Sequence, residues 1–229
     1  MNNINIAIDG PAGAGKSTIA KKIAAELDYI YIDTGAMYRA MALYFLRAGV
    51  QSSDEETISA KCGEIEIGIE YLCGVQHVFL NNEDVSGFIR TDEVGAYASA
   101  CSVYSAVRTK LVELQRKLAA NENVVMDGRD IASVVLPNAD VKVYLTASVE
   151  ERARRRYNEY VLSGQECDFD RIKQEIEERD YRDMHRDNSP LVCVEEATVV
   201  DSSDMTIDEV CEQIMNLAKV AAASKNSGI

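Results

Sequence analysis

The chain has 229 residues, of which 47% are hydrophobic and 27% charged, with 13 glycines and 3 prolines. This length fits one ordinary α/β domain with small insertions, and the composition excludes a mainly disordered, collagen-like or low-complexity protein. The 38 acidic and 24 basic side chains leave a formal net charge of −14, which disfavours nucleic acid and anionic membranes as partners.

The N-terminal part of the chain alternates between strand and helix patterns. Ile4, Ile6 and Ile8 recur with a period of two, which predicts a strand, and Ile19 and Ile23 are spaced as on an amphipathic helix. The predicted elements are a strand over 4–8, a helix over 16–27, a strand over 29–32 and a helix over 37–46. This βαβα order predicts a parallel sheet flanked by helices.

Between about residues 63 and 87 the pattern changes to that of a β-hairpin. Ile65, Ile67 and Ile69 alternate with glutamates, and a second apolar run follows a turn at Cys73-Gly74. Because nothing here continues the βαβ order, we predict an inserted small antiparallel subdomain.

The remainder of the chain returns to alternating strands and helices. Ser148 and Glu151 fit a capping box at one helix start, and Ser163-Gly164 interrupts the helical pattern that follows. The predicted elements are a long helix over 91–120, strands over 123–127 and 141–145, two helices between about 148 and 186, a strand over 197–200, a closing helix over 207–222 and a frayed tail over 225–229.

The six cysteines never form a CxxC pair, so their spacing excludes the common zinc sites. We expect reduced, mostly buried thiols, with a single disulfide as the alternative. The first residues do not have the basic and apolar regions of a signal peptide, and no stretch approaches the ~18 apolar residues that span a bilayer. We therefore expect a mature cytoplasmic protein.

The turn after the first strand carries a phosphate-binding motif. Its glycines allow backbone N–H groups to converge on a phosphate at a helix N-terminus, the lysine can reach the β- and γ-phosphate oxygens, and the serine hydroxyl can bind Mg²⁺. We expect ATP to be bound by the residues of this motif, which are Gly10, Pro11, Ala12, Gly13, Ala14, Gly15, Lys16, Ser17 and Thr18. The strand before and the helix after the motif favour this interpretation over an incidental glycine-rich turn.

This motif is shared by switches, motors, transporters and kinases, so the rest of the chain must decide among them. The chain has no Asn-Lys-x-Asp string of the kind that GTPase switches use to read guanine, and it is short for a motor or helicase. Transfer of phosphate to a small molecule fits best, with ATP and Mg²⁺ as cofactors.

Eight of the 14 arginines lie between Arg152 and Arg186. Helical spacing predicts one face with Arg179, Asp183 and Arg186, and a second with Arg152, Arg155 and Arg156. For these two faces we favour phosphate binding, whereas for Arg154, Arg171 and Arg182 we favour surface ion pairs with neighbouring glutamates.

Arginines on a helical lid would stabilise the charge that spreads over a transferred phosphoryl group, and closure of the lid would exclude water. Of these arginines we predict Arg155 as a catalytic residue. His77 and His185 are the only histidines and belong to no recognisable triad. A phosphate acceptor needs no general base, because its second pKa near 6 leaves it largely ionised at neutral pH.

Four motifs together resemble the bacterial-type cytidylate kinases, within the nucleoside monophosphate kinases. The resemblance spans nearly the whole chain, and the motifs occur in the family's order. They are residues 9–18, the DTGAMYR string at 33–39, the DGRD string at 127–130, and the ERDYRD string at 178–183 continuing through Arg186 to Ser189-Pro190-Leu191.

The resemblance implies transfer of the γ-phosphate of ATP to CMP or dCMP. It implies that Arg39, Arg129 and Arg186 hold the acceptor phosphate, that Ser99, Arg108 and Asp130 read cytosine, and that Asp183, Arg179 and Thr34 meet the sugar. An Asp130 carboxylate would favour cytosine, which offers an amino donor where uracil offers a carbonyl. The predicted catalytic residues are Lys16, Arg129, Arg179, Arg186 and Arg155.

The resemblance also implies a single P-loop kinase domain over 1–229. We expect its core at about 1–60, 91–147 and 187–229, a nucleoside-monophosphate-binding insertion at about 61–90, and a lid at about 148–170. Members of this family are expected to act as monomers on small molecules. The alternatives are a kinase of the same fold for UMP, AMP or another small acceptor, and a non-catalytic nucleotide-binding regulator.

Overall fold

The structure is a computed structural model that describes residues 3–72 and 74–226. Its strands are β1 (Asn5–Asp9), β2 (Ile30–Asp33), β3 (Ile67–Leu72), β4 (Val75–Leu80), β5 (Glu83–Asp84), β6 (Val124–Gly128), β7 (Val141–Thr146) and β8 (Thr198–Asp201). Its helices are α1 (Lys16–Leu27), α2 (Thr34–Arg47), α3 (Glu55–Cys62), α4 (Asp92–Cys101), α5 (Ser105–Ala119), α6 (Val149–Leu162), α7 (Phe169–His185) and α8 (Ile207–Asn226), with a π-helical turn at Ile131–Val135.

The chain divides into a first unit, residues 1–31 and 121–229, and a second unit, residues 32–120. The first unit is built on a sheet of strand order β2-β6-β1-β7-β8, and of strand β2 the first two residues belong to this unit. The pairings of β1 with β6, β1 with β7 and β7 with β8 are parallel, which confirms the predicted parallel sheet. The division into core, insertion and lid stays a prediction.

The core of the first unit lies between the sheet and the helices α1 and α8. Ile6, Val125 and Val143 from three neighbouring strands are fully buried, and Ile23 of α1 and Ile214 of α8 pack in the same cluster. Strands buried in this way consist of apolar runs, as expected for a parallel sheet covered by helices. The core holds the carboxyl ends of β1 and β6 in register, with Asp9 opposite Gly128.

The second unit contains the antiparallel sheet β3-β4-β5, which confirms the predicted small antiparallel sheet, while its role as an inserted subdomain stays a prediction. Ile69 is paired with Val78 in the hairpin of β3 and β4. Cys73, in the predicted turn, lies outside the described residues. Helix α2 packs against α4 and α5, and α3, which the sequence analysis did not predict, packs against α5.

The predicted long helix over 91–120 is wrong, because it is two helices, α4 and α5. The break follows from local polar contacts: the Ser102 hydroxyl donates to the Ser99 carbonyl, and Tyr104 adopts an extended conformation before α5. The Tyr104 hydroxyl donates to the Ser52 carbonyl over 2.8 Å, which ties the break to another part of this unit. No glycine or proline marks this break in the sequence.

The predicted frayed tail is wrong for its first two residues, since α8 continues to Asn226. Lys225 donates to the Asn3 carbonyl and forms an ion pair with Asp140, both over 2.6 Å. Residues 227–229 lie outside the described residues. Within the described ranges, no helix is both long enough and apolar enough to cross a membrane. The five described cysteines carry free thiols, and Cys193 is exposed rather than buried.

Candidate active site

The phosphate-binding loop connects β1 to α1, as predicted. Gly10 has φ +150°, and a Cβ at this position would lie 1.9 Å from the Leu145 carbonyl oxygen. Only glycine therefore allows the chain to leave β1 beside β7. Gly15 then adopts a left-handed conformation directly before Lys16, the first residue of α1. The start of α1 thus supplies N–H groups and positive potential for an anion in the loop.

Lys16 is buried, and its Nζ donates to the Pro11 carbonyl over 2.7 Å. Burial lowers the pKa of Lys16 well below its ordinary value, and the nearby charge of Arg129 lowers it further, while Asp127 opposes the shift. A bound anionic phosphate would offset both burial and cationic repulsion. The position of Lys16 is therefore suited to an anionic ligand.

A hydroxyl and a carboxylate meet where α1 approaches the end of β6. Ser17 Oγ donates to Asp127 Oδ2 over 2.8 Å, and the buried Tyr31 hydroxyl donates to Asp127 Oδ1 over 2.8 Å. The two oxygens of Asp127 are thus engaged from two sides, which holds the carboxylate in one orientation. Hard oxygen donors in this arrangement are the ligand type that Mg²⁺ prefers.

Asp9, the last residue of β1, organises the segment after β6. Its carboxylate accepts the backbone N–H groups of Ile131 and Ala132 over 2.8 and 2.7 Å, at the start of the π-helical turn. Burial raises the pKa of Asp9 to about 6, with a further increase from Asp130, although the two N–H groups act in the opposite direction. Asp9 thereby fixes the backbone that follows Asp130.

Two arginine–aspartate pairs join the DGRD string to the end of α7. Arg129 Nε donates to Asp183 Oδ2 over 2.8 Å, and Arg186 Nη2 lies 3.8 Å from Asp130 Oδ1. The charge of Arg179 acts on both Lys16 and Asp183. Predicted site residues from distant parts of the sequence are therefore brought together within the first unit.

The predicted common helical face for Arg179, Asp183 and Arg186 is wrong for Arg186. Helix α7 ends at His185, and the backbone of Arg186 is extended, with φ −68° and ψ 141°. Its Nε donates to the Ser189 carbonyl over 2.7 Å, within a turn that precedes Pro190. Arg186 therefore reaches Asp130 from the loop after α7 rather than from the helix surface.

Charge pairing shifts the pKa values of Arg129 and Asp183 in opposite directions. Burial by itself would lower the pKa of Arg129 and raise that of Asp183. Their mutual attraction, with help from Arg179 and Arg186 at Asp183, reverses both effects, so the pKa of Arg129 is raised and that of Asp183 is lowered. Both groups are therefore charged at neutral pH.

The predicted phosphate-binding face of α6 is divided among different contacts. Arg155 lies against the phosphate-binding loop, and its Nη1 would be 3.6 Å from a Cβ at Gly15. Its Nη2 donates to the Ser202 carbonyl over 2.7 Å. Arg156 donates to the Tyr160 hydroxyl over 2.8 Å.

The prediction of phosphate binding is wrong for Arg152, which is buried and bonded to protein acceptors. It pairs with Asp180 and donates to the carbonyls of Ala12 and Ala147, each over 2.9 Å. The predicted surface ion pairs are confirmed for Arg154 and Arg171, which pair with glutamates on their own helices, Glu151 and Glu175.

The second unit carries the other predicted site residues, on α2, α4 and α5. Thr34 is the buried first residue of α2, and Arg39 lies beside α4, with its Nη2 3.7 Å from the position of a Cβ at Gly95. Ser99 and Arg108 meet through Ser102, whose hydroxyl donates to the Ser99 carbonyl and whose carbonyl accepts from Arg108 Nη1 over 3.2 Å.

Arg108 is buried and lies 5.7 Å from the centre of the Tyr38 ring, a cation–π arrangement. Asp33 caps α2 by accepting the Ala36 N–H over 2.9 Å, and Arg90 donates to its other oxygen over 2.8 Å. The DTGAMYR string therefore forms the N-terminus of α2, with Asp33 as its N-cap.

Four residues with contacts in the site were not among the predicted site residues: Asp9, Tyr31, Asp127 and Asp180. Asp9 and Asp127 lie at the carboxyl ends of β1 and β6, where two of the motifs begin, so their position at this edge of the sheet was a usable signal. Tyr31 is part of a strand pattern and Asp180 lies between predicted ligands on α7. Their roles depend on contacts with residues 96 and 168 positions away.

A family model described as cytidylate kinase matches residues 6–220. A cytidylate kinase of Leuconostoc mesenteroides is 49% identical over 217 residues, which cover 95% of this chain and 97% of that protein. A cytidylate kinase of Caldicellulosiruptor saccharolyticus is 48% identical over 217 residues, covering 95% of this chain and 96% of that protein.

Solved structures agree on the fold at low sequence identity. A gluconokinase from Sinorhizobium meliloti has a TM-score of 0.52 and 14% identity, covering 99% of this chain and 98% of that chain. An uncharacterised protein from Eubacterium ventriosum has a TM-score of 0.55 and 13% identity, covering 95% of this chain and 99% of that chain. The P-loop fold predicted from the sequence is confirmed. With a family match over nearly its whole length and relatives near half identity, the chain belongs to the cytidylate kinase family.

Proposed function

We propose that this protein transfers the γ-phosphate of ATP to CMP or dCMP, giving ADP and the corresponding diphosphate. The observation that carries the proposal is the match to the cytidylate kinase family over residues 6–220. The loop between β1 and α1 supports it, because a buried Lys16 at a helix N-terminus is suited to polyphosphate.

The donor binds at the loop in this proposal. Residues 10–18 form this site, and the backbone N–H groups of 13–18 bind the phosphates, since Pro11 has no N–H and that of Ala12 is bonded to Asp180. Lys16 exchanges its bond to the Pro11 carbonyl for one to the β- and γ-phosphate oxygens. Such an exchange costs little, because one oxygen acceptor replaces another.

The oxygen donors Ser17 and Asp127 fit a Mg²⁺ ion that accompanies ATP. Mg²⁺ is held by one or two carboxylates together with phosphates and waters, rather than by a cage of protein ligands. Among the described residues, no group of three or more His, Cys, Asp or Glu side chains could form such a cage. Ser17 would bind the ion and Asp127 would orient the hydroxyl or a bound water. The ion supplies neutralisation of charge on the β- and γ-phosphates.

We propose that Arg39, Arg129 and Arg186 hold the acceptor phosphate. Arg129 and Arg186 are already oriented by Asp183 and Asp130, so little side-chain entropy is lost on binding. The Asp130 carboxylate, with Ser99 and Arg108, reads the amino group and the ring of cytosine. Asp183, Arg179 and Thr34 meet the sugar.

The reaction then needs positioning and charge stabilisation more than proton transfer. The acceptor phosphate is largely ionised at neutral pH and attacks without a general base. Lys16, Arg129, Arg179, Arg186 and Arg155 stabilise the negative charge on the phosphoryl oxygens as the bond to ADP breaks. We further propose that the lid, about 148–170, excludes water, and that the protein is a cytoplasmic monomer without nucleic-acid or membrane partners.

The test is an ADP-release assay with Mg²⁺ and ATP, in which CMP, dCMP, UMP, AMP, GMP and no acceptor are compared. We expect strong turnover with CMP and dCMP, weak turnover with UMP, and almost none without an acceptor. Lys16→Met should reduce the rate by about 10²-fold or more, whereas Lys22→Met, on the exposed side of the same helix, should not. Preference for another acceptor would overturn the assignment of the base-reading residues. Silence with every acceptor would favour the regulator.

A further inference from the structure

One residue of the phosphate-binding loop is held through both of its backbone polar groups. The Ala12 N–H donates to Asp180 Oδ1 over 3.0 Å, and the Ala12 carbonyl accepts from Arg152 Nη1 over 2.9 Å. The same Arg152 nitrogen also donates to Asp180 Oδ2. Asp180 and Arg152 are both buried, with exposed fractions of 7% and 4%. These side chains and the Ala12 backbone form a closed hydrogen-bonded group, called here the loop clamp.

The loop clamp is anchored to the rest of the first unit. Arg152 Nε donates over 2.9 Å to the carbonyl of Ala147, the residue that follows β7. The neighbouring Gly13 has φ +76°, and a Cβ there would lie 3.3 Å from the Arg152 Cβ, so the loop backbone packs closely on α6. Pro11, on the other side of Ala12, accepts from Lys16. The loop is therefore braced by α6, α7 and β7 directly beside the lysine.

A buried ion pair seldom adds much stability over apolar residues of similar size, because both charges lose their hydration. The bonds to Ala12 suggest a different reason for this pair. A polyphosphate loop must present its N–H groups in one arrangement, and an arrangement fixed before binding increases affinity. We propose that Asp180 and Arg152 are positioning residues that set the conformation of the phosphate-binding loop for the donor nucleotide.

This inference rests on the proposed function, since it takes the loop as the ATP site. It gives α6 and α7 a specific part in donor binding, separate from the acceptor contacts of Asp183 on α7. Asp180 and Arg152 touch the loop backbone, so they act through it. The expected signature is loss of ADP and ATP affinity with little change in the affinity for CMP.

An aspartate is needed at position 180 because two donors face it. The Ala12 N–H and the Arg152 guanidinium each require an acceptor oxygen, and an asparagine would offer one oxygen and one NH₂ group. In either orientation of an amide, one donor would face another donor. Asp180→Asn therefore breaks the clamp with almost no change in side-chain volume.

The test measures ADP binding by calorimetry, together with the KM values for ATP and CMP and the thermal unfolding temperature. The variants are Asp180→Asn and the double variant Arg152→Met with Asp180→Asn, which leaves no unpaired charge buried. The control is Glu175→Gln, which removes an exposed ion pair with Arg171 on the same helix. We expect both clamp variants to bind ADP at least about tenfold more weakly, with KM for CMP changed less than about twofold.

Should Asp180→Asn fail to fold, the double variant decides. Normal ADP affinity in a folded clamp variant would overturn the inference, as would equal increases of KM for ATP and CMP. A lower unfolding temperature with unchanged ADP affinity would also overturn it, because the pair would then be structural only. Wild-type protein that bound neither ADP nor ATP would overturn the proposed function and the inference together.

Discussion

Ser17 Oγ and Asp127 Oδ2 are joined by a hydrogen bond of 2.8 Å, although 110 residues separate them in the chain. The bond connects the first turn of α1 to the carboxyl end of β6. It places a hydroxyl and a carboxylate together beside the phosphate-binding loop, where the proposed Mg²⁺–nucleotide complex would need oxygen donors. Three other carboxylates in the site also contact residues from another part of the chain: Asp9, Asp130 and Asp183.

Asp127→Asn should impair the use of Mg²⁺ more than the binding of nucleotide. The amide retains the shape of the carboxylate but carries no charge and presents one acceptor oxygen in place of two. We expect kcat to fall by about 10²-fold and the Mg²⁺ concentration for half-maximal rate to rise. Mg²⁺ should increase the ADP affinity of the variant less than it increases the ADP affinity of the wild-type protein. An equal increase of ADP affinity by Mg²⁺ in the two proteins would contradict the role of Asp127.

Tyr31→Phe should produce a smaller effect of the same kind. It removes the hydroxyl that donates to Asp127 Oδ1 and leaves the ring in place. We expect a decrease in kcat of about three- to tenfold, which corresponds to about 0.7–1.4 kcal/mol, the size of one ordinary hydrogen bond. Tyr29→Phe is the matched control, because Tyr29 precedes β2 and packs, partly buried, against the same core. Equal effects in the two variants would show that the Tyr31 hydroxyl does not act through Asp127.

Asp130→Asn should reduce the preference for CMP over UMP. Asparagine can donate to the carbonyl of uracil, whereas aspartate accepts from the amino group of cytosine. We expect the ratio of kcat/KM for the two substrates to fall by about tenfold or more. Loss of the contact with Arg186 would lower kcat/KM for both substrates, so a change in their ratio reports recognition of the base alone. Asp170→Asn, at the exposed start of α7, serves as control, and an unchanged ratio would exclude Asp130 as the base-reading carboxylate.

Arg155→Ala should lower kcat far more than it raises KM for CMP. The guanidinium lies against Gly15 and donates to the Ser202 carbonyl, so it is positioned to stabilise negative charge on the phosphates of ATP. An interaction made mainly in the transition state affects kcat, and we expect a loss of about 10²-fold. Arg154→Ala, whose guanidinium is on the exposed side of α6, should have little effect. A rise in KM for CMP as large as the fall in kcat would place Arg155 outside the transition state.

Asp9→Asn should change the pH dependence of stability. Because the pKa of Asp9 in the folded state is about 6, above its ordinary 3.8, its contribution to stability is largest at low pH and is lost as pH rises through 6. The variant loses an acceptor oxygen at every pH, but this penalty should shrink by about 2 kcal/mol between pH 4 and pH 7. Urea unfolding at several pH values measures the difference.

Asp183→Asn is the control for this experiment. The pKa of Asp183 lies below its ordinary 3.8, so its stabilising contribution is lost only as pH falls below that value. The penalty of Asp183→Asn should therefore be constant over about pH 5 to 7. A constant penalty for Asp9→Asn over the same range would contradict the raised pKa.

Local patterns in the sequence determined much of the fold and the nature of the site. The period of two in Ile4, Ile6 and Ile8 marks β1, and the glycine-rich motif after it marks the phosphate-binding loop, because both depend on neighbours within a few residues. Ser148 is the N-cap of α6 as predicted, since an N-cap bonds to the residue three positions on. The resemblance that rests on these motifs pointed to the family that the comparisons confirm.

Only the tertiary structure decided which way several charged side chains point. Arg152 and Arg155 share a helical face, yet one is buried against Asp180 and the other lies beside Gly15. Arg186 reaches Asp130 because the chain leaves α7 before it, and Tyr104, at the break between α4 and α5, donates to the distant Ser52 carbonyl. Periodicity specifies the direction of a side chain from its own helix, but not the partner found there. The partners of buried charges come from distant parts of the chain. Because a buried charge loses its hydration, it must lie where such a partner can pair with it.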